Sequence, residues 1–169
     1  MQQRLRSEGF VLVPALVVVG LFVYWGAHGG GYAATTWEPS ALVVLGLLVA
    51  TVLGIGARNL RLTRPAAIAL AALAGYVAWS YLSIAWSASP GDALDGSNRA
   101  LLFVLLFALF ALLPWRAWTA LAALSAFALG VGVLALVTLA RLRSGDVPTM
   151  FTDGRLVAPL GYVNGSAAL

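Results

Sequence analysis

Residues 155–169 carry the polar groups of this chain that are best suited to binding an anion. Arg155 opens the segment, Tyr162 and Asn164 follow, and one proline and two glycines interrupt the backbone around them. Guanidinium groups bind phosphate oxygens in bidentate fashion and stay charged when they are partly desolvated. Backbone N–H groups of a glycine-broken turn at a helix start offer a second set of donors. The segment therefore has the residue types of a site for a phosphate group.

Long apolar runs precede this segment and determine the class of protein. Hydrophobic residues make up 62% of the 169 residues and charged residues 9%, whereas an ordinary soluble domain carries about 25% charged residues. The runs are close in length to the ~20 residues with which a helix crosses a bilayer. We therefore expect an all-α fold, a polytopic transmembrane helix bundle that forms a single transmembrane domain over 1–169. Five full spans, at about 10–25, 40–57, 65–86, 99–113 and 117–140, are followed by the start of a sixth near residue 160.

The fourth span is short for a hydrocarbon core about 30 Å thick. Its helix can begin inside the preceding loop sequence, and this would draw Arg99 toward the membrane. We expect three outer loops, at about 26–39, 87–98 and 141–159.

The distribution of arginine predicts that the N-terminus lies inside. All ten basic residues are arginine, and with this orientation six lie on the inner side and four on the outer side. This split agrees with the excess of positive charge that inner loops carry. This rule does not account for the four arginines on the outer side, whereas ligand binding would account for them. The outer four are Arg99, Arg141, Arg143 and Arg155.

The composition also excludes several kinds of site. The arginines form short clusters between apolar runs, where orientation signals occur, so the net charge of +4 does not indicate nucleic-acid binding. The chain has no cysteine, which excludes disulfides, thiolate zinc sites and thiol nucleophiles. The single histidine, His28, cannot make a metal site by itself. We therefore expect neither a metal ion nor a cofactor.

Two stretches resemble a known family of membrane enzymes. The first is Trp86-Ser-Ala-Ser-Pro-Gly-Asp-Ala-Leu, followed by Asn98-Arg99, and the second is Gly154-Arg-Leu-Val-Ala-Pro-Leu-Gly-Tyr-Val-Asn-Gly. Both are similar, in order and spacing, to the O-antigen ligase and polymerase-like family of bacterial membrane glycosyltransferases. In that family a Trp-Ser-x-x-Pro loop follows an early span, and an arginine opens the next span. A later Gly-Arg-Leu…Pro-x-Gly-Tyr-x-Asn element leads into another span, so the resemblance covers residues 65–169.

The resemblance implies a function and a set of partners. Members of the family take a glycan from a polyprenyl diphosphate carrier and transfer it to an acceptor glycan or lipid at the outer face of the bacterial cytoplasmic membrane. They need neither a metal ion nor a nucleotide sugar, because the diphosphate is the leaving group. By motif position, Arg99 and Arg155 match arginines that hold the carrier diphosphate, and Tyr162 and Asn164 match the polar residues after the second arginine. The expected partners are the carrier-linked glycan, the acceptor and the lipid bilayer, for a multi-pass protein of the cell membrane.

The family's catalytic histidine is expected elsewhere. It lies in a large outer loop far downstream of these motifs, and His28 matches no family motif. We therefore expect this chain to be the N-terminal half of such a protein, with no catalytic residue in it. A ligase and a polymerase differ in their acceptors, and the motifs leave that choice open.

Other interpretations of the polar residues remain open. Arg141 and Arg143 fit a solvated helix face, or an accessory site for an anionic glycan. Asp92 and Asp95 fit turn and cap roles, or contacts with an acceptor sugar. For the whole chain, the alternative function is a polytopic transporter or flippase-like membrane protein that binds an anionic lipid or glycan. A structural membrane subunit without chemistry is the third hypothesis.

Overall fold

The computed structural model of this chain describes residues 2–56, 62–143, 150–152 and 155–160, with side chains from residue 8 onward. Within these ranges five α-helices follow one another along the chain. They are α1 (Gln2–Ala27), α2 (Ala34–Ile55), α3 (Arg64–Ser83), α4 (Pro90–Leu112) and α5 (Ala117–Arg143). A β-hairpin of two short strands, β1 (Phe151–Thr152) and β2 (Arg155–Leu156), follows α5.

All five helices are long and apolar enough to cross a bilayer. Their candidate spans contain 20 to 27 residues, and about 20 residues cross a hydrocarbon core of about 30 Å. The expected all-α architecture with five membrane-length helices is therefore confirmed for the described residues. The expected sixth span falls on residues 161–169, which lie outside the described residues. The inside location of the N-terminus stays a prediction.

Helix α5 shows how side chains are sorted between protein and lipid. Its buried residues are Thr119, Ala123 and Thr138. Five of its leucines are exposed, at Leu121, Leu124, Leu129, Leu136 and Leu139. Small and hydroxyl side chains are typical of helix contacts in membranes, because lipid tails solvate leucine as well as other leucines do. The burial pattern of α5 therefore supports a helix that faces lipid over most of its surface.

Helices extend into each of the three segments expected as outer loops, 26–39, 87–98 and 141–159. The largest difference lies at the start of α4. Pro90 occupies the first turn, where its fixed φ suits a helix and its missing N–H is not needed. Asp92 complements the helix dipole there and accepts a hydrogen bond from Ser89 Oγ at 2.6 Å. Residues 90–98 thus lengthen a helix whose apolar run alone is short for a membrane.

The helices group into two compact units, one of Met1–Ser40 with Trp115–Leu169 and the other of Ala41–Pro114. In the second unit, α3 and α4 form an antiparallel hairpin joined through a 3-10 turn at Ile84–Trp86. The buried leucines of α4 recur at helical spacing on one face of that helix, at Leu102, Leu106 and Leu109.

In the first unit, α1 and α5 pack side by side and run in the same direction. Near the helix starts, Glu8 Oε1 and Arg116 Nη1 are 3.9 Å apart. Near the end of α1, a Cβ added at Gly26 would lie 2.6 Å from Leu134 Cδ1. Residue numbers therefore rise together along both helices. Parallel packing of the first and fifth helices agrees with three crossings between them, because each crossing reverses the direction of the chain.

Close approach of α1 and α5 depends on a glycine. A Cβ at Gly130 would overlap Val23 Cγ2, whereas a Cβ at Gly132 would meet no atom within 4 Å. Gly130→Ala is expected to destabilise the protein by about 1–3 kcal/mol, because stiff, branched Val23 cannot move aside within the contact. Gly132→Ala is the matched control and should be neutral or slightly stabilising, since alanine favours a helix. Denaturation of the purified protein in detergent measures both, and equal stability of the two variants would contradict this packing.

The absence of cysteine makes the membrane orientation directly testable. Leu62→Cys, before α3, and Ala88→Cys, between α3 and α4, both introduce a thiol at an exposed residue of a connection. With the N-terminus inside and every helix crossing once, a membrane-impermeant maleimide should label Cys at 88 in intact cells. The thiol at 62 should react only after the cells are permeabilised. The reverse pattern would place the N-terminus outside.

Candidate functional site

Polar side chains meet where α3 ends and α4 begins. The short connection between the two helices brings Tyr81 of α3 beside Asn98 of α4, and the Tyr81 hydroxyl donates a 2.6 Å hydrogen bond to Asn98 Oδ1. Ser97 is buried beside them, and its Oγ donates to Ala93 O of its own helix at 2.7 Å. The bond between Tyr81 and Asn98 links two membrane-length helices one residue before Arg99.

Arg99 forms an ion pair within α4. Its Nε atom is buried and lies 3.0 Å from Asp95 Oδ2, four residues earlier in the helix. The side chain of Arg99 is 28% exposed and that of Asp95 is 40% exposed, so the pair is partly buried and still accessible to solvent. Residues four apart lie on the same face of a helix, which is why the carboxylate can reach the guanidinium.

If Leu112 lies at the far boundary of the hydrocarbon core, the length of α4 puts this ion pair below the membrane surface. The 13 residues from 100 to 112 rise about 20 Å along the helix axis, which leaves about 10 Å of a hydrocarbon core about 30 Å thick. With Leu112 at the far boundary, Arg99 lies about 10 Å inside the near boundary and Asp95 about 6 Å closer to the surface. Asp92 then lies at the boundary itself. A charge at this depth is costly, and Asp95 reduces that cost by neutralising Arg99.

Arg155 lies in the β-hairpin of the other unit. Thr152 pairs with Arg155, and Phe151 pairs with Leu156. The hairpin is closed further by Val157, whose N–H donates to Met150 O at 2.9 Å. The Arg155 side chain is exposed. The short hairpin therefore leaves this guanidinium accessible to solvent.

A glycine turn after α1 supports the segment that follows the hairpin. Gly29, Gly30 and Gly31 all have positive φ values, between 64° and 71°, which side chains rarely tolerate. A Cβ at Gly30 would lie 2.9 Å from Leu160 O, and a Cβ at Gly31 would lie 2.8 Å from Trp25 Cγ. The glycines thus let Leu160 and Trp25 approach the backbone, and they hold the chain after Arg155 against the end of α1.

The remaining predicted site residues are Arg141, Arg143, Tyr162 and Asn164. Arg141 and Arg143 are exposed in the last turn of α5, where positive charge complements the helix dipole. Tyr162 and Asn164 lie outside the described residues, so their roles stay predictions. Among the residues that the structure describes, no group of three or more His, Asp or Glu side chains could hold a metal ion.

Arg99 thus forms an ion pair with Asp95, next to the hydrogen bond between Tyr81 and Asn98. The backbone of Arg155 pairs with that of Thr152 across the hairpin. Arg99 and Arg155 belong to different units. The sequence alone indicated turn, cap or sugar-contact roles for Asp95 and no role for Tyr81. The i, i+4 spacing of Asp95 and Arg99 was the available signal, but it indicates an ion pair only once the helix is known to begin at Pro90.

No protein-family model matches the sequence, and no curated protein and no solved structure is significantly similar to it. The fold and the site define the class as a multi-pass helical membrane protein with a charged pair inside one membrane-length helix.

The bond between α3 and α4 makes a measurable contribution to stability. Tyr81→Phe should destabilise the protein by about 0.6–1.7 kcal/mol, the range of hydrogen bonds between membrane helices. Ser80→Ala is the matched control, because Ser80 Oγ donates its hydrogen bond to Tyr76 O within its own helix. Combining Tyr81→Phe with Asn98→Ala completes a double-mutant cycle. Additive losses in that cycle, measured by unfolding in detergent, would show that the two side chains do not interact.

Proposed function

We propose that the chain is the N-terminal part of an integral membrane glycosyltransferase of the O-antigen ligase and polymerase-like kind. The protein transfers a glycan from a polyprenyl diphosphate carrier to an acceptor glycan or lipid at the outer face of the bacterial cytoplasmic membrane. This part of it binds the carrier diphosphate, and none of its residues is assigned to proton transfer.

The observation that carries this proposal is the charged pair of α4. Arg99 is largely shielded, is paired with Asp95 and is followed by an apolar helix. Ionisable residues at membrane depth are rare, and they mark substrate and ion pathways. Arg99 also occupies the motif position at which the resemblance implies a carrier-binding arginine. Location, pairing and motif thus support a role in binding an anionic group near the start of α4, just below the membrane surface.

The chemistry of glycan transfer needs such a group. An acceptor hydroxyl attacks the anomeric carbon of the carrier-linked sugar, and the bond from that carbon to the diphosphate oxygen breaks. The diphosphate leaves with the bonding electron pair, and the hydroxyl proton passes to a base. Negative charge therefore grows on the diphosphate in the transition state. Guanidinium groups already in place stabilise that charge more in the transition state than in the ground state.

Arg155 is proposed as the second carrier-binding group. Its side chain is exposed on a hairpin that closes after α5. If each helix crosses the membrane once, the connection before α4 and the chain after α5 face the same side, and the predicted orientation makes that side the outer one. Tyr162 and Asn164 are proposed to contact the same headgroup, and Arg141 and Arg143 to assist with an anionic glycan.

A second candidate function is supported by the same ion pair. Charged residues inside membrane-length helices are also typical of transporters, in which they line the path of a substrate. A flippase-like protein would bind an anionic lipid or glycan through Arg99 and move it across the bilayer without forming a glycosidic bond. The reaction product separates the two candidates, because only the glycosyltransferase yields a new acceptor–glycan bond.

The test uses the full-length protein in proteoliposomes, supplied with a diphosphate-linked glycan and an acceptor. Arg99→Ala and Arg155→Ala should each lower the transfer rate about 100-fold, as loss of one group that stabilises transition-state charge does. Arg99→Lys should recover only part of the rate, because lysine keeps the charge and loses the bidentate geometry.

Arg116→Ala is the control for loss of a surface arginine. Arg116 lies at the start of α5, 3.9 Å from Glu8, at the opposite end of that helix from Arg141 and Arg143. Its removal should leave transfer within about 2-fold of wild type, as expected for a weak surface ion pair. If both Arg99→Ala and Arg155→Ala kept the wild-type rate, the assignment of the carrier site would be wrong. Lipid movement without transfer would favour the second candidate.

A further inference from the structure

Asp95 has no assigned role in the proposed reaction, although it is the residue placed against Arg99. We propose that Asp95 is an internal counter-ion that limits the affinity of Arg99 for the diphosphate, so that the spent carrier can leave after transfer. This inference rests on the proposed function, in which Arg99 binds the carrier diphosphate. It adds a role in product release to a residue that touches Arg99 and need not touch the carrier.

The geometry gives the guanidinium a resident anion. Asp95 Oδ2 lies 3.0 Å from Arg99 Nε, and the two residues are held on one face of a single helix. Asp95 is the more exposed of the two side chains, and it lies about 6 Å nearer the membrane surface than Arg99. A headgroup that arrives from the surface therefore meets the carboxylate together with the guanidinium. The ligand is attracted by one charge and repelled by the other.

The charge of the carrier changes during the reaction. A diphosphate that is esterified to lipid at one end and to sugar at the other carries one negative charge on each phosphate. Once the sugar has left, the oxygen that carried it is an additional ionisable oxygen of the terminal phosphate, which gains about one further negative charge near pH 7. The spent carrier is therefore attracted more strongly to a bare arginine than the loaded carrier is. An arginine without a counter-ion would hold the product in preference to the substrate.

Asp95 reduces this preference. The attraction of each ligand scales with its charge and with the electrostatic potential at the site, and a carboxylate beside the guanidinium lowers that potential. The lower potential narrows the difference in affinity between spent and loaded carrier. Partial burial keeps the effect from being screened away by salt, as it would be at a fully exposed pair.

Asp92 provides a control on the same helix. It lies in the first turn of α4, one turn nearer the surface than Asp95, and its Oδ2 accepts a hydrogen bond from Ser89 Oγ. Asp92→Asn removes the same charge from the same helix terminus and leaves the ion pair with Arg99 in place. A general effect of net charge or of the helix dipole would appear in both variants. An effect of the counter-ion would appear only at Asp95.

The experiment measures binding to the purified full-length protein in nanodiscs of phosphatidylcholine. The probes are farnesyl diphosphate, which represents the spent carrier, and its sugar-capped diester, which represents the loaded carrier. Asp95→Asn should bind farnesyl diphosphate about 5- to 10-fold more tightly than wild type. The preference for the uncapped over the capped probe should increase by about 3-fold or more, because their charges differ.

Three further variants complete the test. Asp95→Glu keeps the carboxylate and should stay within about 2-fold of wild type, and Asp92→Asn should do the same. Asp95→Ser is a second neutral variant, for use if the asparagine variant does not fold. In the full-length protein, Asp95→Asn should lower KM and kcat together, the pattern expected when tighter binding slows product release. A role of Asp95 in folding alone would leave the preference between the two probes unchanged.

The outcomes separate the inference from the proposed function. If wild type binds farnesyl diphosphate, Arg99→Ala abolishes that binding and the neutral variants at 95 bind no more tightly, the counter-ion role is wrong while the carrier site stands. If wild type and Arg99→Ala bind the probe equally, or neither binds it, the carrier site is wrong and the counter-ion role falls with it. Tighter binding by Asp95→Asn but not by Asp92→Asn supports the inference.

Discussion

The structure depends on one constraint, which is that backbone N–H and C=O groups find no partners in a hydrocarbon core. Helices satisfy these groups within each segment, so a chain with runs of about 20 apolar residues becomes a series of helices. The same constraint reverses the usual sorting of side chains. Helix α5 buries two threonines and an alanine and exposes leucines, because leucine gains little by leaving lipid, whereas small residues allow backbones to approach.

The contacts between helices follow from this sorting. Gly130 faces Val23 where α1 and α5 meet, and Tyr81 bonds to Asn98 where α3 and α4 meet. Neither contact depends on a large apolar core. The first contact depends on the missing side chain of a glycine, and the second depends on one hydrogen bond between two side chains. Specific residues therefore determine which helices pair, while the apolar surface determines only that they lie in the membrane.

The ion pair of α4 puts charged side chains into a membrane-length helix, where charge is costly, and this is why the pair indicates function. A helix of 23 residues could have been apolar throughout, yet α4 begins with turn-forming and charged residues and carries Arg99 below the estimated surface. Asp95 makes this arginine tolerable by neutralising it. A neutralised arginine close to the surface can still exchange its carboxylate for a stronger anion. Stability and a capacity for anion binding thus come from the same two side chains.

The sequence by itself determined the class of protein, the five membrane-length helices and the candidate arginines, because hydropathy and motif order are properties of short continuous stretches. Only the tertiary structure decided that α1 and α5 are parallel partners, that Tyr81 meets Asn98, and that Gly30 lies against Leu160. The residues in these contacts lie between 17 positions (Tyr81 and Asn98) and 130 positions (Gly30 and Leu160) apart in the chain, and no local pattern encodes them. The start of α4 at Pro90 lies between these cases. A proline and an aspartate at the start of this segment are as common in a loop as in the first turn of a helix. The short apolar run that follows favours the helix. Once the segment is helical, Asp95 and Arg99 lie on the same face and can form their ion pair.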